Sequence, residues 1–125
     1  MAINIGLDGG LTISVQSADR KRSAAWYAEM LGFTLLYDVE HIGWCEMSTH
    51  IKGVNIGFSQ VEKVKAGGPT PTWGVKDVDS ARKQLEGRGV KFDGDTLTFP
   101  GMVKLATFFD PDGNANMLYQ SLAQQ

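Results

Sequence analysis

Residues 17–33 of this chain are Ser-Ala-Asp-Arg-Lys-Arg-Ser-Ala-Ala-Trp-Tyr-Ala-Glu-Met-Leu-Gly-Phe. The spacing of the apolar side chains predicts an amphipathic helix over residues 20–31. The residues that share its apolar face are Trp26, Tyr27, Met30 and Leu31. Ser17 or Asp19 can cap the start of this helix, and Gly32 suits the left-handed conformation that ends one. The stretch therefore predicts a helix that covers another apolar surface.

A second helix, with a weaker pattern, is predicted over residues 79–88. Asp79 or Ser80 opens it, and Ala81 and Leu85 point inward. Short segments of strand character surround both helices and are bounded by Gly, Asp, Asn and Pro. These segments are residues 11–16, 33–39, 42–47, 53–60, 70–76, 96–99, 103–109 and 115–120. The predicted order is strand, helix and three strands, and then the same order again.

The two halves of the chain also share faint sequence similarity. Ser23-Ala24 recurs as Ser80-Ala81, and Gly32 recurs as Gly89 at the same spacing. With the repeated order of elements, this similarity predicts a domain built from two equivalent modules. The expected boundaries are one domain over residues 1–125, with module one at about 11–60, a Lys-Ala-Gly-Gly-Pro hinge at 65–69 and module two at about 70–120.

The stretch 17–33 resembles the first module of the vicinal-oxygen-chelate superfamily, which contains glyoxalases, bleomycin-resistance proteins and extradiol dioxygenases. That module carries an acidic turn, a helix with an aromatic pair, and then Leu-Gly-Phe. Residues 110–114, Asp-Pro-Asp-Gly-Asn, resemble the turn before the superfamily's last strand. The resemblance covers residues 11–120. It implies an α+β fold in which two βαβββ modules form cupped mixed sheets, covered by helices and paired in a dimer.

The resemblance also implies where a metal site would lie. In metal-using members, each module supplies two ligands, usually His or Glu. The positions that carry over to this sequence are Thr12, Thr70, Met117 and either Asn55 or Gly57. None of these residues is His, Asp, Glu or Cys. We therefore expect a member of the metal-free branch, with no metal and no other cofactor.

Composition excludes several classes of partner. The formal net charge is -2, so the sequence lacks the excess of basic residues that binding to nucleic acid or to an anionic membrane requires. No segment approaches the roughly 18 apolar residues of a membrane span, and the N-terminus lacks a signal-peptide pattern. The single cysteine, Cys45, excludes an internal disulfide and is interpreted as a buried, inert thiol. His41 and His50 are interpreted as loop residues. A cytoplasmic location is expected.

Strand alternation predicts which side chains enter the cup. Counted in steps of two from the positions at which the family carries metal ligands, these side chains are Thr12, Ser14, Thr70, Thr72, Leu105, Thr107, Met117 and Tyr119. Trp44 and Glu46 join them if the third strand keeps the same alternation. The set combines hydroxyls with aromatic and Met surface, which suits a small, partly apolar ligand, although the same side chains could instead fill a core. Trp26 and Trp73 are instead predicted on the other side of the sheets, in the core that the helices cover.

Two main functions follow, from different classes. The first is metal-independent binding, in which the protein sequesters an antibiotic or metabolite as bleomycin-resistance-like proteins do. The expected contacts are Thr12, Ser14, Trp44, Thr70, Thr72, Thr107, Met117 and Tyr119. The second is a metal-free lyase or isomerase in which Glu46, its pKa raised by an apolar cup, is the catalytic base. A structural or regulatory module is a third possibility. A homodimer is expected, because open sheet edges need a partner.

Overall fold

The computed structural model of the protein describes residues 3–4 and 6–123. These residues belong to two compact units, Met1–Val61 and Glu62–Gln125. The N-terminal start that lacks a signal-peptide pattern includes Met1, Ala2 and Ile5, which lie outside the described residues. Among the described residues, neither helix has the length and apolar character that a membrane span requires.

The first unit contains one helix and a four-stranded mixed sheet. Its elements are β1 (Leu11–Ser17), α1 (Arg20–Leu31), β2 (Thr34–Val39), a 3-10 turn (Glu40–Ile42), β3 (Trp44–Ser48) and β4 (Val54–Gln60). The strand order is β1-β4-β3-β2, in which β1 and β4 run parallel and the other neighbours run antiparallel. Helix α1 packs on one face of this sheet, against β3 and β4.

The second unit repeats this plan. Its elements are β5 (Thr72–Gly74), α2 (Val78–Glu86), β6 (Leu97–Phe99), β7 (Val103–Phe109) and β8 (Ala115–Ser121). The strand order is β5-β8-β7-β6, with β5 and β8 parallel, and α2 packs against β7 and β8. The predicted α+β fold with two βαβββ modules is therefore confirmed. Residues 61–71, which include the predicted hinge at 65–69, contain no helix or strand.

The ends of α1 follow from its sequence. Asp19 is the cap, because its carboxylate accepts a hydrogen bond from the Arg22 N–H at 3.1 Å. Ser17 instead pairs its hydroxyl with that of Ser23 at 2.6 Å. Gly32 ends the helix with φ of 75°, in the left-handed region that side chains disfavour. This turn brings Phe33 into the core, with its ring stacked 6.2 Å from that of Tyr27.

The core of the first unit lies between α1 and the sheet. Its buried apolar residues are Ala24, Tyr27, Phe33, Cys45, Met47, Ile56 and Phe58. Trp26 was predicted here, and that prediction is wrong: Trp26 is half-buried at the margin, with its edge against Tyr27 at 5.0 Å. The two residues are one position apart, a rotation of about 100° around the helix, so only Tyr27 points at the sheet.

The core of the second unit contains Trp73, as predicted. Trp73 is 5% exposed, and its indole Nε1–H donates to Asn116 Oδ1 at 2.9 Å. The turn at 110–114 is organised by the buried carboxylate of Asp110. That carboxylate accepts hydrogen bonds from the N–H groups of Asp112 at 2.9 Å and Asn114 at 2.8 Å. The motif therefore has a structural role, which is to join β7 to β8.

The predicted boundaries of α2, β3 and β5 need correction. Helix α2 is capped by Asp77 rather than by Asp79 or Ser80, because the Asp77 carboxylate accepts from the Ser80 N–H at 3.1 Å. Strand β3 begins at Trp44 rather than at residue 42, since the 3-10 turn before it ends at Gly43 with φ of 64°. Strand β5 is shorter than the predicted 70–76.

Candidate functional site

Each sheet has one face covered by its helix and one face turned away from it, which we call the helix-free face. In the first sheet, Cys45, Met47, Ile56 and Phe58 are buried on the helix-covered side. Side chains alternate along a strand and cross-strand partners share a face. The opposite, helix-free face therefore carries Thr12, Ser14, Trp44, Glu46, Asn55 and Gly57. The structure thus brings together the predicted contacts of module one, and their role in binding stays a prediction.

A β-bulge adds a residue that sequence analysis missed. The register of β2 against β3 shifts between Leu35 and Tyr37, so that Leu35 pairs with Met47 and Tyr37 pairs with Glu46. Two residues that are two positions apart thus lie on opposite faces of the sheet. Tyr37 reaches the helix-free face and donates its hydroxyl to Glu46 Oε1 at 2.7 Å. Simple alternation places it on the other face, so no sequence signal could have found it.

The carboxylate of Glu46 is the centre of a hydrogen-bond network on this face. Its Oε1 accepts from the Tyr37 hydroxyl at 2.7 Å and from the Trp44 indole Nε1–H at 3.3 Å. Its Oε2 accepts from Asn55 Nδ2 at 2.8 Å. The donors come from β2, β3 and β4, so the carboxylate is held by all three strands at this end of the sheet.

This network corrects the predicted pKa of Glu46. The prediction was a raised pKa in an apolar cup, whereas the pKa of Glu46 is lowered from its ordinary value of 4.5. The hydrogen bond from Tyr37 is the largest cause; burial opposes it, and Asn55, Trp44 and Thr12 lower the pKa further. Donors favour the ionised form. Glu46 is therefore an anion at neutral pH and a weaker base than a free glutamate.

The indole of Trp44 lies across Gly57 on the neighbouring strand. A Cβ built on Gly57 would stand 2.0 Å from Trp44 Cζ2 and 2.2 Å from Cη2, which is far inside van der Waals contact. Glycine is thus required at this position for the ring to lie against the sheet. A half-buried aromatic ring beside a fixed carboxylate is a surface suited to stacking and to charge recognition.

The helix-free face of the second sheet is uncharged at its centre. Thr107, Met117 and Thr72 form one cross-strand row, and Leu105, Tyr119 and Gly74 form the next. Tyr119 covers Gly74 much as Trp44 covers Gly57, since a Cβ added to Gly74 would lie 3.0 Å from the Cζ and the hydroxyl oxygen of Tyr119. Thr70 precedes β5, and its carbonyl accepts from the Thr72 hydroxyl at 3.0 Å. Tyr119 is 38% exposed, so this face also presents apolar surface.

The metal positions implied by the resemblance do not fit a divalent ion. Thr12 pairs with Asn55 across β1 and β4, and Thr72 pairs with Met117 across β5 and β8. Thr70 lies just before β5. Hydroxyl, amide and thioether groups bind divalent ions more weakly than histidine and carboxylate groups do. Within residues 3–4 and 6–123, no group of three or more His, Cys, Asp and Glu side chains could hold a metal.

Cys45 lies on the helix-covered side of the first sheet, and His41 and His50 lie outside the strands. Cys45 is 1% exposed on the helix-covered side, and its Sγ donates to the Arg20 carbonyl at 3.6 Å. Burial raises the pKa of the Cys45 thiol, so it is protonated at neutral pH. His41 lies in the 3-10 turn, and His50 stacks on Phe33 with ring centroids 6.1 Å apart.

Arg20 is a second residue whose role the sequence did not reveal. It is 5% exposed, and its guanidinium binds both Asp38 carboxylate oxygens at 2.9 Å and Glu40 at 2.5 Å. The Gln60 side-chain oxygen accepts from the Arg20 backbone N–H and from Nη1, each at 3.1 Å. Arg20, Lys21 and Arg22 are all basic residues in the first turn, where they oppose the helix dipole, so the sequence does not single out Arg20.

Comparison with known proteins gives a family and several solved structures. The model of the Glyoxalase/Bleomycin resistance protein/Dioxygenase superfamily matches residues 11–118. No curated protein matches the chain. TnmS3, an antibiotic binding protein from Streptomyces sp. CB03234, is 25% identical with a TM-score of 0.73, over 94% of this chain and 98% of that chain. A glyoxalase/bleomycin resistance protein from the same organism is 26% identical with a TM-score of 0.70, over 89% and 99%.

A more distant structure has the same fold. The fosfomycin resistance protein FosX from Listeria monocytogenes is 14% identical with a TM-score of 0.76, over 92% of this chain and 94% of that chain. At this identity the likeness shows the fold alone.

Proposed function

The chain belongs to the Glyoxalase/Bleomycin resistance protein/Dioxygenase superfamily, and on that premise we propose that it binds a small, partly apolar molecule without a metal and sequesters it. The observation that carries the proposal is the pairing of Trp44 and Glu46 on the first helix-free face, where an aromatic ring lies beside a fixed carboxylate. An antibiotic or a metabolite with a planar apolar part has the chemistry that this surface recognises.

The chemistry of the carried-over positions supports binding rather than catalysis. Thr12, Thr70, Met117 and Asn55 offer no ligand set for a divalent ion. The alternative, a metal-free lyase or isomerase with Glu46 as base, loses its physical basis, because the pKa of Glu46 is lowered and not raised. Sequestration needs neither a base nor a metal. The likeness to TnmS3, described as an antibiotic binding protein, favours the same class of ligand.

Trp44→Ala is expected to weaken ligand binding about tenfold or more while leaving the fold intact. Stacking on one aromatic ring contributes on the order of 0.5–1.5 kcal/mol beyond its area, and the ring's apolar area is lost as well. A thermal-shift screen of peptide antibiotics, aromatic polyketides and glutathione adducts identifies a ligand first, because a ligand of the native state raises the melting temperature. Titration calorimetry then compares the wild type with Trp44→Ala.

Trp26→Phe is the matched control for this experiment, since it removes a tryptophan from the margin of the helix-covered core. It should bind as the wild type does. Equal affinity of Trp44→Ala and the wild type would contradict the proposed site. Turnover of a bound compound that Glu46→Gln abolishes without loss of binding would replace sequestration with the enzyme alternative.

We further propose that the protein acts in the cytoplasm as a homodimer. Large apolar side chains remain exposed on the edge strand of the second sheet, with Leu97 at 56% and Phe99 at 46%. A second copy would cover such surface and the unpaired strand edge. Light scattering at micromolar concentration should report twice the monomer mass, and metal analysis of the same sample should find less than one divalent ion per chain. A monomer, or a stoichiometric ion, would contradict this part of the proposal.

A further inference from the structure

We infer that Glu46 and Gly57 are positioning residues that hold the Trp44 indole against the sheet, and that the surface so formed selects planar cationic aromatic ligands. This inference rests on the proposed function and adds to it a class of ligand. It also assigns a role to two residues that need not touch the ligand themselves.

Gly57 sets the height of the indole above the sheet. The position is buried in the middle of β4, where glycine weakens a strand and other residues pack better. Its φ does not lie in the left-handed region, so the backbone accepts a side chain there. The reason for glycine is the ring itself, since an added Cβ would come within 2.0 Å of Trp44 Cζ2 and 2.9 Å of Cε2. Alanine at this position must lift or turn the ring.

Glu46 sets the orientation of the indole in its own plane. Its Oε1 accepts the Trp44 Nε1–H at 3.3 Å, on the same strand and two residues away. The carboxylate cannot follow a moving ring, because Tyr37 holds Oε1 from β2 at 2.7 Å and Asn55 holds Oε2 from β4 at 2.8 Å. The indole is thus restrained below by Gly57 and at its edge by Glu46. A ring that is already oriented loses little conformational entropy when a ligand stacks on it.

The charge around the ring favours a cation. Among the paired residues of this helix-free face, Glu46 is the only charged one, its neighbours being Thr12, Ser14, Asn55, Ser48, Ser59 and Tyr37. The lowered pKa of Glu46 keeps that charge at neutral pH. The face of an indole also attracts positive charge. A planar aromatic cation gains from both groups, and a planar aromatic anion is repelled by the carboxylate.

The positioning role is tested without any ligand by two-dimensional NMR of the indole N–H groups. The chain has three tryptophans and should give three such signals, of which Trp44→Phe identifies one. Gly57→Ala and Glu46→Gln should each shift the Trp44 signal and leave those of Trp26 and Trp73 in place. Gly9→Ala is the matched control, because Gly9 has an ordinary φ and nothing within 4 Å of an added Cβ. An unmoved Trp44 signal in both variants would overturn the positioning role.

The ligand class is tested with three probes: proflavine as a planar aromatic cation, anthraquinone-2-sulfonate as a planar anion, and cyclohexylamine as a non-planar cation. Calorimetry should show wild-type affinity for proflavine at least tenfold above that for the other two. Gly57→Ala should reduce proflavine affinity about tenfold, Glu46→Gln should reduce it several-fold, and Gly9→Ala should leave it unchanged. Circular dichroism checks that each variant is folded.

The outcomes separate this inference from the function on which it rests. Equal binding of proflavine and anthraquinone-2-sulfonate, or unchanged proflavine binding in Gly57→Ala, would overturn the selection of planar cations. If the indole signals shift as expected and neither these probes nor the antibiotic screen yields a ligand, the positioning role stands and the proposed binding function is wrong. If other ligands bind and proflavine does not, the proposed function stands and the ligand class is wrong.

Discussion

Tyr27→Ala should destabilise the protein by about 3–5 kcal/mol, as large-to-small changes at fully buried aromatic residues do. Tyr27 is 0% exposed and lies between α1 and the first sheet. Its ring is 4.8 Å from that of Phe58 and 6.2 Å from that of Phe33, so its removal opens a cavity lined by two aromatic rings. Urea unfolding followed by circular dichroism measures the free energy of unfolding for the wild type and the variant.

Trp26→Ala is the matched comparison for Tyr27→Ala. The two residues are neighbours on α1, yet Trp26 keeps part of its surface in water and meets Tyr27 only at its edge. Its loss should cost less than half as much as the loss of Tyr27. A larger effect for Trp26→Ala than for Tyr27→Ala would mean that the helix is rotated about its axis from the position described above.

Arg20→Ala should lower the melting temperature by about 10 °C at pH 7, because it leaves a partly buried carboxylate without its cation. The guanidinium side chain is 6% exposed, and its main partner Asp38 is 26% exposed. The variant also removes the Nη1 donor from Gln60 Oε1. Lys21→Ala is the control, since its ammonium lies 3.9 Å from Glu40 and is 72% exposed. Removal of this surface charge should change the melting temperature little.

The effect of Arg20 should depend on pH in a defined direction. Arg20 lowers the pKa of Asp38 below its ordinary value of 3.8. A carboxylate with a lowered pKa adds stability above its unfolded-state pKa, and that stability is lost as the pH falls through the folded-state value. The difference in melting temperature between the wild type and Arg20→Ala should therefore be constant from pH 7 to about pH 5 and shrink below pH 3.8. A difference that grows on acidification would exclude the ion pair as its cause.

Local features of the fold were predictable because each depends on residues close in sequence. The helix at 20–31 follows from its apolar period, and its end follows from Gly32, which alone accepts φ of 75° without strain. The turn at 110–114 follows from Asp110, which binds N–H groups two and four residues ahead. The cap of α2 was misplaced because Asp77, Asp79 and Ser80 are all suitable caps.

The placement of Trp44 and Glu46 on one face with Thr12 and Ser14 followed from the period of two along regular strands, with the starting position taken from the ligand positions that the family resemblance implies. The prediction further assumed that the third strand keeps the same alternation, and the pairing of Glu46 with Gly57 supports that assumption. What these residues bind stays a proposal. That Gly57 lies beneath Trp44 was not predictable, because glycine occurs in strands for many reasons and only the pairing of β3 with β4 brings these two residues together.

The sequence by itself determined the order of elements, the ends of α1, the turn at 110–114 and the family. Only the tertiary structure decided the charge state of Glu46 and the burial of Arg20. Both depend on the bulge between Leu35 and Tyr37, which moves Tyr37 onto the helix-free face beside Glu46 and turns Asp38 toward Arg20. A bulge reverses the alternation of every residue after it, and its position is set by pairing with a strand some ten residues away. The hydrophobic period of a single strand does not depend on that pairing and therefore cannot predict it.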